Sequence, residues 1–204
     1  MNSFQSFPRK TTPRVKFGRV QRKNRAAPTP SFWNTTQAAP VIVRERPGSD
    51  YRHILLKRDI FDFISILPDW NELSNGLDAI LLAQNSDSAD GWHCPGVVAV
   101  CAWPRDLWIE PSQRYYSDHK DIFARLGVAC ERKNAKKWLC RFTEHQVRGY
   151  QLRHILLHEL GHHHDRMSTK SKCASARGES FAEHYALEFE QVIWQEYLKK
   201  FELF

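Results

Sequence analysis

His158 and His162 stand four residues apart in the stretch LRHILLHELGHHHD, and Glu159 directly follows the first of them. On a helix this spacing puts both imidazoles on one face, a turn apart, where they can reach a single metal ion. Zinc suits such a pair, because it takes imidazole nitrogen and carboxylate oxygen in tetrahedral geometry. A glutamate directly after the first histidine meets a water on the metal rather than the metal itself. The chemistry on offer is hydrolysis, with the metal activating water and Glu159 moving its proton. Three residue types make a short pattern, so the surrounding elements must carry the rest.

The stretch Thr143 to Leu157 reads as helix. Thr143 is a cap and Gln146, three residues on, is its capping-box partner. Val147, Tyr150, Leu152, Ile155, Leu156 and Leu160 form a broad apolar face. The histidine pair therefore falls near the C-terminal end of a buried helix. His163, His164 and Asp165 follow the pair, and they read as groups that favour the helix dipole or cap its last carbonyls.

A catalytic zinc needs a third protein ligand and an open position for water. A histidine ten residues after the first is one solution, but Ser168 stands there, and Asp165 holds the place of the glycine that precedes it in that pattern. A glutamate on a second helix is the other common solution. Glu179, Ala182, Glu183 and Ala186 follow at helical spacing and share one face. Small residues on that face let the two helices approach closely. Either carboxylate can bind the metal, and the other can hold the ring N–H of a ligand histidine.

These paired segments resemble the gluzincins, zinc peptidases in which H-E-x-x-H is followed by E-x-x-x-D/E on a later helix. Glu179-Ser180-Phe181-Ala182-Glu183 is similar to the corresponding segment of Ste24-type and lethal-factor-type peptidases. The resemblance covers residues 143–190, about a quarter of the chain. It implies one Zn²⁺ held by His158, His162 and Glu179, with Glu183 orienting a histidine and Glu159 as general base. A donor to the developing oxyanion is also needed. Tyr150, His184 and Tyr185 are candidates by type.

The first 50 residues differ from the rest. They hold ten Lys or Arg against Glu45 and Asp50, a net +8 in a chain of +7 overall. Six of the ten prolines lie there too. High charge, high proline and little apolar periodicity predict a disordered basic tail over 1–50 and a globular domain over 51–204. Such a tail could hold nucleic acid electrostatically. No apolar run approaches the roughly 18 residues a membrane span needs, unlike the membrane-embedded Ste24-type enzymes. An odd number of cysteines, five, with no signal-peptide core predicts reduced thiols in a cytoplasmic setting, and without a C-x-x-C pair no zinc ribbon is implied. Cys94, in a turn-like Trp92-His93-Cys94-Pro95-Gly96, could cap the zinc, though such a cysteine is more often a small core residue.

Within the domain, periodicity predicts a helix over Tyr51–Ile66 and strands over Leu77–Ala83, Val97–Trp103, Asp106–Glu110 and Lys137–Phe142. It predicts further helices over Tyr115–Leu126 and from Glu179 to about Phe201, with a mobile connection over Met167–Arg177. Most of the seven tryptophans are expected in the core. The fold class is α+β, a small mixed sheet followed by two long helices. The resemblance implies a minimal zincin core, whose edge strand lies beside the cleft; Val97–Trp103 and Asp106–Glu110 are the candidates. The expected function is a soluble zinc metallopeptidase acting on peptides or proteins. A DNA-associated protease similar to SprT-like proteins, tethered by its tail, and a non-catalytic zincin-like binding module are the alternatives.

Overall fold

The computed structural model describes residues 15–16, 19–20, 30–85, 89–169 and 176–202. The chain divides into two units, Met1–Thr35 and Thr36–Phe204. In the first, β1 (Val15–Lys16) and β2 (Arg19–Val20) form a short antiparallel ladder. Half of the expected disordered tail, and most of the expected connection before Glu179, lie outside the described residues.

The second unit is mixed α+β. Its strands are β3 (Val41–Arg44), β4 (Tyr51–Arg52), β5 (Ala79–Ala83), β6 (Gly91–Cys94), β7 (Val97–Cys101), β8 (Trp103–Pro104), β9 (Trp108–Ile109), β10 (Ala129–Arg132) and β11 (Trp138–Arg141). Its helices are α1 (Lys57–Ile64), α2 (Trp70–Leu73), α3 (Gln113–Arg125), α4 (Glu144–Tyr150), α5 (Leu157–Ser168) and α6 (Glu179–Tyr197). A π-helical turn, Gln151–Leu156, joins α4 to α5, and another, Leu198–Glu202, follows α6.

The central sheet has the order β3-β5-β7-β6. Strands β3, β5 and β7 run parallel, and β6 returns antiparallel at the edge. Every residue of β5 (AILLA) and β7 (VVAVC) is buried, as expected of strands covered on both faces. A second sheet, β10-β11-β9, leads directly into α4. Tyr150, Leu152, Leu156 and Leu157 carry the helical run into the same core as Ile80, Val98 and Phe123.

Three expectations give way. The globular unit begins before residue 51, because Val41–Arg44 is a parallel partner of β5 and Ile42 is buried against the core. Net charge and prolines hid a four-residue β-branched strand. The helix expected over Tyr51–Ile66 shrinks to Lys57–Ile64, since Tyr51–Arg52 pairs instead with β8. Of the tryptophans only Trp103 is fully buried among the described residues, while Trp33 and Trp108 are exposed. No helix of the described residues is long and apolar enough to cross a membrane.

Candidate metal centre

The helical run that carries the histidine pair starts at Thr143. Its hydroxyl accepts from the Gln146 backbone N–H at 3.2 Å, and the Gln146 side-chain Oε1 accepts from the Thr143 backbone N–H at 2.8 Å. Downstream, Tyr150, His154, His158 and His162 recur every fourth residue and form a ladder of rings, with successive centroids 5.4, 6.1 and 4.8 Å apart.

Helix α6 lies against α5 where Gly161 meets Ala182. A Cβ on Gly161 would stand 3.0 Å from the Ala182 Cα, so the close approach depends on both small residues. Asp165, fully buried, fixes the start of α6. Its carboxylate accepts from the Arg177 backbone N–H and from its Nε, each at 2.6 Å, and the Arg177 guanidinium lies 3.7 Å over the Phe181 ring. His163 is also occupied, with its Nε2 3.0 Å from the Asn75 carbonyl.

This packing brings Glu179 to the histidines. Glu179 Oε2 is 3.0 Å from His158 Nε2 and 3.4 Å from His162 Nε2, and the two nitrogens are 3.1 Å apart. Metal bonds of about 2.0–2.1 Å at tetrahedral angles set donor atoms about 3.3 Å apart, so this triangle has the size zinc requires. Glu183 sits behind it, with Oε2 3.4 Å from His158 Nδ1 and 3.8 Å from His154 Nε2. The His158 contact is an ion-pair distance without hydrogen-bond alignment, since Nδ1 has no hydrogen-bond partner. The geometry thus puts one glutamate on each nitrogen of His158.

Glu159 is buried beside the triangle. Burial pushes its pKa up to about 7; the charge of His158 opposes the shift, and Glu179 and Asp90 add to it. Its carboxylate reaches the edge strand: a Cβ on Gly91 would stand 2.8 Å from Glu159 Oε1 and 2.9 Å from the Ala99 carbonyl oxygen. Burial lowers the pKa of His162, with the charge of His158 adding to the effect. Burial acts the same way on His158, but Glu183, Glu159 and Glu179 outweigh it and raise that pKa. Glu183 is lowered, chiefly by His158.

The site opens into a cleft of about 860 Å³. Its walls are β6 on one side and α3, with Arg114, Tyr115 and His119, on another. The bordering edge strand is therefore Gly91–Cys94, and neither expected candidate serves. Val97–Cys101 is interior to the sheet, and Trp108–Ile109 belongs to the second sheet. A smaller cleft of about 470 Å³, lined in part by Trp103 and Trp108, shares Ala89 and Asp90 with the first.

None of the three expected oxyanion donors lines this cleft. The Tyr150 hydroxyl is fully buried and spent on Asp90, at 3.3 Å, and on Tyr115, at 2.8 Å. The Tyr185 hydroxyl is buried without a hydrogen-bond partner, and His184 is exposed and paired with Glu188 at 3.1 Å. Tyr115 and His119 escaped the sequence reading, although their four-residue spacing on one helix face was visible. His93 escaped it as well. It stands on β6 with its ring stacked on His162 at 4.8 Å and 11°. Cys94 does not line the cleft, and burial raises its thiol pKa. Compared with protein-family models, curated proteins and solved structures, the chain matches none.

Proposed function

We propose that this chain is a zinc-dependent peptidase of gluzincin type. The observation that carries the reading is the triangle of His158, His162 and Glu179 donor atoms, 3.0–3.4 Å apart, with Glu183 behind it and Glu159 beside it. Four features fit a zincin-like core: a mostly parallel sheet, an antiparallel edge strand along the cleft, a metal helix and a glutamate helix.

His158, His162 and Glu179 would hold the ion. When bound, zinc makes water a nucleophile near neutral pH and polarises a carbonyl. Glu159, buried beside the triangle, is placed to take the proton of the attacking water and pass it to the leaving amine. Glu183, with Oε2 3.4 Å from Nδ1, favours electrostatically the His158 ring orientation in which Nε2 faces Glu179. The outer edge of β6 can pair with an extended peptide backbone and lay it along the cleft.

The test joins metal content to activity. Purified chain, dialysed against a weak chelator, should retain one zinc and cleave an unstructured protein substrate. Glu159→Gln should keep the zinc and lose about 10²–10⁴-fold in turnover. Wild-type cleavage by Glu159→Gln would remove the general base from the scheme. A folded chain without zinc would favour a binding module.

A further inference from the structure

Beside the triangle lies a second set of donors that the peptidase reading does not use as ligands. His93, Glu159 and His162 each offer one ligand atom, and those three atoms lie within 4.8 Å of one another. His93 comes from β6, opposite Val98 in the register, two residues beyond Gly91 and on the same side of the strand. Gly91 is where β6 meets the Glu159 carboxylate, so the strand presents its glycine and its histidine to the same part of α5.

The His93 ring has a defined place but an unfinished hydrogen-bond pattern. It is half-buried and stacked on His162, and its Nε2 is buried with no hydrogen-bond partner. Two imidazoles and a carboxylate are the same donor set as the first site, and they suit zinc and similar divalent transition metals. Arg166 puts a positive charge within range of His93, and the Glu179 carboxylate works against it.

The geometry points to a second station for a divalent transition metal, built from His93, Glu159 and His162 and sharing His162 with the first. Metal binding at this station stands independently of any activity. Its consequence rests on the peptidase reading: a carboxylate bonded to a cation cannot take a proton, so an ion here occupies the general base. Because the two stations share His162, a chain whose ion sits here has none at the first station and does not turn over.

The test uses the full chain, with zinc alone as probe, and calorimetric titration after chelator treatment. His158→Ala removes a ligand that belongs only to the first station. That variant should still bind one zinc, at least tenfold more weakly than wild type, and His158→Ala/His93→Ala should lose the event. His158→Ala/Glu159→Gln should lose it too, with circular dichroism showing that each variant is folded. Equal zinc binding by His158→Ala and His158→Ala/His93→Ala would overturn the station, as would no binding by folded His158→Ala. Either result leaves the peptidase reading standing if wild type keeps its tight zinc. Wild type without tight zinc, alongside His93-dependent binding in His158→Ala, would do the reverse.

Discussion

Glu179 and Glu183 have the same chemistry and nearly the same address, yet they face opposite nitrogens of one imidazole. Removing Glu179 takes away a donor atom of the triangle, whereas removing Glu183 frees a ring that is still able to bind. Partners of this second kind typically cost 10–100-fold in metal affinity. Glu183→Ala should weaken zinc by about that factor and Glu179→Ala by more, measured by competition with a chromogenic chelator. The reverse order would exchange their roles. Glu159 carries a second consequence at this scale. Its pKa of about 7 in the fold stands above the 4.5 of an exposed glutamate, so the folded chain holds that proton more tightly than the unfolded one. Stability from this source is present below about pH 4.5 and is lost as pH rises through 7. In chelator, Glu159→Gln should be more stable than wild type at pH 8, by up to about 3 kcal/mol, and the gap should close at pH 4.5. Urea unfolding at the two pH values checks this. Most of these residues were visible in the chain, because helical spacing alone puts His158 with His162 and Glu179 with Glu183. His93 was not, since a strand residue reaches a site only through pairings far away in sequence.

Elements explain where the reading of the chain stopped. The Thr143–Gln146 cap and the buried runs of β5 and β7 depend on neighbours in sequence, and they were legible. Which strand forms the sheet edge depends on how β6 folds back on β7, and a Pro-Gly turn in a polar stretch concealed that strand. Helix α1 lost its first turn because Tyr51–Arg52 found a partner in β8 some fifty residues later, a tertiary gain that local pattern cannot weigh. Strand β6 also sets a sharp steric condition. A methyl group at Gly91 would lie 2.6 Å from Ile155 Cγ2 as well as against Glu159 and the Ala99 carbonyl. Gly91→Ala should cost about 1–3 kcal/mol through overpacking. It should also lower turnover by more than tenfold, as the carboxylate is displaced. Activity intact at reduced stability would show that Glu159 tolerates the shift.

At the scale of the molecule, every residue of the candidate metal centre belongs to the unit Thr36–Phe204. Residues 1–35 hold eight Lys or Arg and no Asp or Glu. Composition located that basic segment but set its end too late, because a charged neighbourhood and a strand are compatible when the strand is only four residues long. A chain starting at residue 36 should keep its zinc and its thermal midpoint. If the segment holds nucleic acid, the same truncation should abolish duplex DNA binding. The full chain's log affinity should then fall with log salt by about 0.9 per phosphate contact. Equal DNA binding by the two chains would assign that role elsewhere or to nothing.

The π-helical turn Gln151–Leu156 acts as a phase setting between two shafts. Its wider turn takes up a residue that an α-helix would spend on about 100° of rotation. Deleting any one of those six residues would let the turn close as ordinary helix. Because the absorbed residue contributes no rotation, the two shafts would keep their phase: Val147 and Tyr150 would stay in the core and the histidines would keep their aim. The run from Thr143 to Ser168 therefore behaves as a gear train with one spare tooth, and the chain can shorten by a residue at this turn without re-aiming the candidate metal ligands.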